Sequence, residues 1–345
     1  MNSLQEAKRK IFCHDTTPQP FRELLLKMEK DKKRSISRLR PWAWWVEITR
    51  GCNLRCWHCP TRLFPKGQIE YMTLETWEQM IDVIRRVSPI CRVEIGNAGE
   101  PTLNPRFLDF CSSLRQMCPS LQMLTYTNGT TLIDGTISYK DMFDAGLNVV
   151  YVDMYAPVDK HEELAKKSGY LYIIDGQENN YNFNVFEYQG NPNFHAIRFS
   201  PNPSKWAQKK YATGKLHTFL NNLDWDIALR RGMIPVITPP NRRCDIPTKF
   251  PTVLYDGSYA FCCLDFMRET AGKLWNVSDG VEGFFKYWLG KYMQQGRKFL
   301  FEKNRQRHPL CSRCSLTTPR CDIAWWPEEL LQHYWNGKKW IMLAE

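Results

Sequence analysis

Residues 51–60 read Gly51-Cys-Asn-Leu-Arg-Cys-Trp-His-Cys-Pro60, a CX3CX2C run that follows directly on an apolar, aromatic stretch, Trp42 to Ile48. Three thiolates on one short loop can hold three corners of a cubane iron–sulfur cluster. The fourth iron is then left without a protein ligand, as three-ligand zinc sites keep a place for water. A ferredoxin site has a fourth cysteine and a different spacing. The run therefore points to chemistry at the cluster. Outward from it, short β-rich runs alternate with helix-like stretches. Strands are predicted at Trp44–Thr49, Arg92–Gly96, Gln122–Thr127, Asn148–Asp153, His195–Phe199 and Met233–Thr238, with helices at Thr73–Val87, Asn104–Met117 and Tyr139–Ala145. Thr73, followed by Thr76 and Glu78, marks the start of the first helix. Such alternation predicts parallel strands with right-handed crossovers, hence an α/β sheet or barrel.

The length of 345 residues suits two domains, or one barrel with an appended module, and a hydrophobic fraction of 43% supports a buried core. No apolar run reaches the roughly eighteen residues of a membrane span, and Met1 to Lys10 lacks the apolar centre of a secretory signal. The expectation is a soluble, cytoplasmic protein with no membrane partner. In a reducing cytosol the 13 cysteines are not disulfides. Cys111 and Cys118 read as small buried hydrophobes, and Cys13 gets the same reading, while Cys91 stands apart from the cysteine groups. The net charge of +11 is concentrated in a basic stretch, Lys27 to Arg40. It reads as solvated surface more than as a nucleic-acid footprint. Of the 13 tryptophans, four fall between Trp325 and Trp340 and are expected to pack against the body of the protein.

Parallel α/β folds bind ligands at the carboxyl ends of their strands. The loop after the first strand carries the cysteines. The second loop carries Gly96-Asn-Ala-Gly-Glu-Pro-Thr-Leu103, and the third Thr127-Asn-Gly129. All three fall on one rim, where glycine lets backbone approach a ligand and Glu100 is placed to accept from an ammonium group. From Asn241 the character changes. Residues 252–262 read as a hairpin turning at Asp256-Gly257, a helix is expected at Gly283–Phe301, and a cysteine-rich loop follows. The expected divisions are a basic extension (1–41), the barrel (42–240), a cysteine module (241–325) and a Trp-rich terminus (326–345).

These motifs resemble those of the radical S-adenosylmethionine (SAM) enzymes, a family with a partial (β/α)6 barrel. The resemblance implies that Cys52, Cys56 and Cys59 bind three irons of a 4Fe–4S cluster while SAM chelates the fourth. His58 occupies the position whose backbone meets the adenine. Ala98-Gly99-Glu100 matches the segment contacting the SAM amino group, with Ala98 replacing a glycine. Asn128 falls near the ribose and carboxylate. Val150-Tyr-Val-Asp153 stands where the family often has Val-Ser-Leu-Asp, so Tyr151 departs from a ribose contact, and Arg198 is a candidate for the SAM carboxylate. Cys244, Gly257, Cys262 and the pair Cys311-X2-Cys314 resemble the auxiliary-cluster region of SPASM and Twitch domains. A hairpin there would bring Cys244 and Cys262 close, and the distant CX2C would complete a four-thiolate site for one auxiliary 4Fe–4S cluster or, alternatively, structural zinc. Cys263 and Cys321 are left over.

The implied activity is reductive cleavage of SAM, fed by a one-electron reductant such as flavodoxin or ferredoxin, to a 5′-deoxyadenosyl radical that takes hydrogen from a substrate. Asp153 and Glu187 are candidate bases. For the substrate, the basic charge and aromatic content favour a ribosomally made peptide. Oxidation or epimerisation of a sugar or aminocyclitol comes second and tRNA modification third. A non-enzymatic iron–sulfur or zinc protein is the competing class.

Overall fold

The computed structural model of the chain describes residues 41, 43–55, 59, 61, 64–65, 67–89, 91–96, 98–153, 158–174, 194–200, 244, 246–314, 332–338 and 340–343. The strands are β1 (Ala43–Val46), β2 (Thr49–Arg50), β3 (Glu70–Tyr71), β4 (Arg92–Ile95), β5 (Gln122–Thr127), β6 (Val149–Asp153), β7 (Leu171–Ile174), β8 (Ala196–Ser200), β9 (Thr252–Val253), β10 (Tyr259–Ala260), β11 (His333–Trp335) and β12 (Trp340–Met342). The helices are α1 (Leu74–Val87), α2 (Phe107–Met117), α3 (Thr130–Ile133), α4 (Tyr139–Asp144), α5 (Val158–Ser168), α6 (Ile246–Lys249), α7 (Gly280–Trp288) and α8 (Lys291–Phe301). Among the described residues no helix is long and apolar enough to cross a membrane. The expected strand at Met233–Thr238, the basic stretch, Cys13, Glu187 and Cys321 lie outside the described residues.

The chain divides into two compact units, one drawing on Met1–Trp44, Thr73–Pro89 and Thr218–Glu345, the other on Trp45–Met72 and Ile90–His217. Both are discontinuous, so α1 groups with the C-terminal part of the chain.

In the second unit, β4, β5, β6 and β8 run parallel, each pairing with the next, and β7 pairs parallel to the far side of β8. The alternation of strand and helix thus gives the parallel sheet expected from it. β7 was not anticipated. Its signal is Gly169, at φ +73°, turning the chain out of α5 into Leu-Tyr-Ile-Ile, and its position at the sheet edge leaves Leu171 exposed. The predicted strand Trp44–Thr49 breaks at Glu47–Ile48. Past that bend Thr49 and Arg50 pair antiparallel with Tyr71 and Glu70 in a separate two-stranded sheet just before the cysteine loop.

The two faces of this sheet differ. Met123, Thr125, Val150, Val152, Ile197 and Phe199 are wholly buried on one. On the other, Tyr126, Tyr151 and Arg198 are in register across β5, β6 and β8 and remain partly accessible. At the amino ends of the strands Arg115 ties the elements together, donating to the carbonyls of Leu121 (2.6 Å) and Gly146 (2.7 Å) and to Asn148 Oδ1 (2.7 Å). That end is built for stability, whereas parallel α/β folds bind ligands at the opposite end. Cys111 and Cys118 are buried, as their small apolar character implies.

In the first unit Thr73 caps α1 by accepting from the Thr76 amide, and the apolar stripe Trp77, Met80, Ile81, Ile84 of this amphipathic helix is buried. The hairpin β9–β10 turns at Asp256-Gly257 as expected. Gly257 has φ +79°, and a Cβ there would meet Asn276 Oδ1 at 2.8 Å and Thr76 Cγ2 at 3.0 Å. Aromatic packing fills the interior: Tyr259 stacks on Tyr287 at 4.3 Å, and Phe284 lies 5.0 Å from Trp44. The helix expected over Gly283–Phe301 is two helices, α7 and α8. Gly290 is extended (φ −70°, ψ 166°) and caps α8, where a Cβ would fall 1.9 Å from the Lys286 carbonyl. Of the clustered tryptophans, Trp335 and Trp340 are paired in backbone register across the β11–β12 hairpin; Trp325 and Trp326 are outside the described residues.

Candidate functional site

Two glycines set the geometry of the rim. Gly51, immediately before the first cysteine, has φ +104°, and a Cβ on it would lie 2.5 Å from the Gln68 carbonyl. Gly99 bridges Gly51 in a parallel sense, and its own Cβ would fall 2.0 Å from the Thr49 carbonyl and 2.8 Å from that of Gly51. The Glu100 amide then donates to the Gly51 carbonyl at 3.0 Å. The cysteine loop and the Ala98–Glu100 loop are thereby zipped backbone to backbone, an approach only glycine permits. Ala98 is buried beside this seam.

Cys52 sits on the zipped loop. Its Sγ accepts from the Leu54 amide at 3.3 Å and from Asn128 Nδ2 at 3.4 Å. Asn128 is held by its own contacts: Nδ2 donates to Asn53 Oδ1 at 2.9 Å, while Oδ1 accepts from the amide (3.0 Å) and hydroxyl (2.8 Å) of Thr130. Cys59 Sγ lies 3.1 Å from the Thr61 hydroxyl. Burial pushes both thiols above their ordinary range. The nearby Cys59 adds to the effect on Cys52, and Asp153 adds to that on Cys59. Cys52, Cys59 and Asp153 therefore share one neighbourhood, built from loops after β2 and β6. A sulfur surrounded by N–H donors suits a metal-bound thiolate, and metal coordination would overcome the raised thiol values. The donor set fits an iron–sulfur cluster. Cys56 and His58 lie outside the described residues.

Glu100 lies on this rim with its carboxylate already partnered by the protein. Its carboxylate is 3% exposed. Oε1 accepts from the Thr102 amide (3.1 Å), the Thr102 hydroxyl (2.6 Å) and the Thr127 hydroxyl (2.7 Å), and Oε2 from the Asn128 amide (2.7 Å). With four protein donors it clamps the loop after β4 to the loop after β5. Burial raises its pKa, against the pull of those donors. In this structure its carboxylate orders the rim, leaving the Ala98–Glu100 backbone as the surface nearest the cysteine loop.

Tyr151 and Arg198, assigned separately by motif, are brought together: the Arg198 guanidinium lies over the Tyr151 ring at 5.3 Å. Tyr126 flanks the same ring at 5.1 Å, and its hydroxyl donates to Glu94 Oε2 at 3.1 Å. Glu94 is 1% exposed and ion-paired with Arg92. Burial raises its pKa, with Arg92 and the Tyr126 hydroxyl opposing. The Arg92–Glu94–Tyr126–Tyr151–Arg198 row was missed in the sequence. Its signal was available: one polar or aromatic residue recurring at the centre of each parallel strand, at the period of two that selects a single face.

The second cysteine group lies wholly in the other unit. Cys244 and Cys263 are buried, and Cys262, Cys311 and Cys314 partly so. The Cys262 and Cys263 sulfurs are 4.0 Å apart. Burial raises Cys311 well above the thiol range, and Cys314 and Cys262 raise it further, so those three are electrostatic neighbours. Among the described residues no three His, Cys, Asp or Glu side chains are already arranged as a metal cage.

A parallel sheet with a three-cysteine loop zipped to a glycine-containing rim defines a class, and comparison with known proteins identifies it. Residues 46–179 form a domain that matches the Radical SAM superfamily. It is 30% identical over 112 residues to the tungsten-containing aldehyde ferredoxin oxidoreductase cofactor-modifying protein of Pyrococcus furiosus, covering 32% of this chain and 30% of that one. The chain thus spans under a third of that relative. It is 20% identical over 273 residues to the S-adenosyl-L-methionine-dependent 2-deoxy-scyllo-inosamine dehydrogenase of Niallia circulans, covering 78% of this chain and 91% of that protein. The crystal structure of BtrN in complex with AdoMet and 2-DOIA superimposes with a TM-score of 0.57 at 16% identity, over 82% of this chain and 97% of that one, a likeness of fold.

Proposed function

We propose that the chain is a radical SAM enzyme that oxidises a hydroxyl-bearing small molecule of the sugar or aminocyclitol kind. Cys52, Cys56 and Cys59 would hold a 4Fe–4S cluster. The backbone of Ala98, Gly99 and Glu100, the side chain of Asn128 and the backbone at His58 would hold SAM. The observation that carries the reading is the seam at Gly51 and Gly99, which fixes the cysteine loop against the rim, with Asn128 donating to Cys52 Sγ. With a flavodoxin- or ferredoxin-like reductant, the cluster and SAM held by these residues would supply the hydrogen-abstraction chemistry.

The protein's own part is to position the substrate and to accept its proton. The accessible row of Tyr126, Tyr151 and Arg198 offers phenol and guanidinium groups to hydroxyls. Tyr126, hydrogen-bonded to Glu94, provides a route for the hydroxyl proton as the substrate radical is oxidised. The accompanying electron would pass to an auxiliary cluster on Cys244, Cys262, Cys311 and Cys314. Near-full-length similarity to a dehydrogenase of 2-deoxy-scyllo-inosamine supports the substrate class. Maturation of a ribosomally made peptide is the second reading, supported by the net charge of +11 and the 13% aromatic content. The test uses anaerobically reconstituted protein with SAM, dithionite and 2-deoxy-scyllo-inosamine or other polyols deuterated at the carbinol carbons. Deuterium should enter 5′-deoxyadenosine and a ketone should form. Modification of peptides with every polyol inert would reverse the two readings.

A further inference from the structure

The cysteine loop carries a charge pattern that its thiols do not require. Between Glu47 and Glu70 the chain has Arg50, Arg55, Arg62 and Lys66 and no carboxylate. On α4 and α5 of the same unit, basic residues pair with acids one helical turn away: Lys140 with Asp144, Lys166 with Glu162 and Lys167 with Glu163. Such pairs are the ordinary solvated surface of a helix. The run around the CX3CX2C motif departs from that pattern in one direction, toward positive charge.

Two of its guanidinium groups are fixed beside the loop; Arg62 and Lys66 lie outside the described residues. Arg55, exposed and between Cys52 and Cys56 in sequence, donates from Nη1 to the Phe64 carbonyl at 2.9 Å. Arg50 lies over the ring of the same residue at 4.6 Å and reaches Glu70 at 3.7 Å, beyond hydrogen-bond length. Phe64 is buried, so one anchored residue orders both cations. The exposed Gln68 borders the same loop, since its carbonyl would lie 2.5 Å from a Cβ on Gly51. Cys52 and Cys59 are themselves partly accessible.

We propose that this basic border is the docking surface of an acidic protein that carries one electron, with Arg50 and Arg55 as its fixed contacts. The inference rests on the reading that Cys52, Cys56 and Cys59 hold a cluster, because an electron must then enter at this loop. Redox encounters bury little surface, under about 1,200 Å², so a few charges around one loop are enough. Their effect falls on association rate and salt dependence. A nucleic acid fits less well: strongly bound phosphate backbones take about six to ten cationic contacts, and the described border supplies two.

The test uses the full chain, reconstituted anaerobically and immobilised, with oxidised flavodoxin and oxidised 2Fe–2S ferredoxin as probes in surface plasmon resonance. Between about 0.01 and 0.15 M salt the screening length shrinks from about 30 to 8 Å, and carrier affinity should fall about tenfold. Arg55→Gln keeps a donor for the Phe64 carbonyl and removes the charge; Gln68→Glu and Gln68→Lys add charges of opposite sign at an exposed position. At low salt Arg55→Gln and Gln68→Glu should each weaken binding about threefold, and Gln68→Lys should strengthen it by a similar factor. Cleavage of SAM driven by dithionite should stay within about twofold in all variants, while cleavage driven by photoreduced flavodoxin follows the affinities. If Arg55→Gln also loses dithionite-driven cleavage, the Gln68 pair decides. Salt-dependent binding indifferent to the substitutions overturns the proposal and places the contact elsewhere on the chain. Failure of both carriers to bind overturns it too. Transfer RNA bound more tightly than either carrier, and lost in the same variants, overturns it in favour of a nucleic-acid surface. No dithionite-driven cleavage by the wild type removes the cluster reading, and the proposal with it.

Discussion

Replacing Gly99 by alanine tests whether the seam between the two loops positions the chemistry. The added methyl would begin 2.0 Å from the Thr49 carbonyl oxygen and 2.8 Å from that of Gly51, where real Cβ contacts do not fall below 3.0 Å. The obstructing atoms are backbone, so no side chain can rotate away. The loops must part by about 1 Å, and the Glu100–Gly51 hydrogen bond of 3.0 Å is stretched or lost. Steric insertion of this kind costs about 1–3 kcal/mol of stability, and a displacement of about 1 Å at a reacting centre lowers rate by roughly a hundredfold. The assay is release of 5′-deoxyadenosine from SAM by reconstituted protein, with iron content and thermal melting measured alongside. Gly99→Ala should fold, keep most of its iron and lose about two orders of magnitude in SAM cleavage. Ala98→Gly, one residue away and free of that clash, should stay within about threefold of wild type. Wild-type cleavage in Gly99→Ala would refute the reasoning, because the seam would then be incidental.

Three further outcomes follow from particular contacts. Asn128→Ala removes the donor to Cys52 Sγ and the partner of Thr130; SAM cleavage should fall roughly tenfold, with iron retained, and complete iron loss would instead make Asn128 essential to cluster assembly. His161, 1% exposed, and His308 are both held below the ordinary imidazole value of 6.5 by burial. The unfolded chain therefore takes up protons first as pH falls, so stability is complete above pH 6.5 and is lost as pH drops toward 4. For His308 the shift amounts to about 3 kcal/mol, and urea titrations of metal-free His308→Phe should show a flatter acid limb; an unchanged limb would contradict the assignment. Arg297, wholly buried on Trp288 at 4.2 Å, donates to the Pro247 carbonyl and Gln294 Oε1, each at 2.9 Å. Arg297→Lys cannot reproduce that fork and should lower stability by about 2–4 kcal/mol in urea unfolding, whereas a midpoint equal to wild type would show that a simple charge suffices.

Much of the rim was legible because parallel strands put their carboxyl ends together, so Cys52, Ala98–Glu100 and Asn128 could be aligned from strand order alone. The Gly51–Gly99 approach was not legible, since it joins loops 48 residues apart and each glycine by itself looks like a turn. Glu100 was recognised as part of the rim, but its saturation depended on Thr102 and Thr127, hydroxyls that carry no motif. The break between α7 and α8 was hidden in a continuous amphipathic pattern, where one glycine decided the conformation. The grouping of α1 with the C-terminal part of the chain reflects long-range packing of its apolar stripe, which periodicity marks as buried without naming the partner. Glu94 escaped notice because a lone carboxylate in a short strand reads as surface until the pairing register puts Tyr126 beside it.

The most direct measurement compares anaerobically reconstituted wild-type protein with the Cys52→Ala, Cys56→Ala, Cys59→Ala variant, each given SAM and dithionite, and quantifies 5′-deoxyadenosine. The account predicts steady release from the wild type and none from the variant. Equal release from both, or none from an iron-loaded wild type, would contradict it.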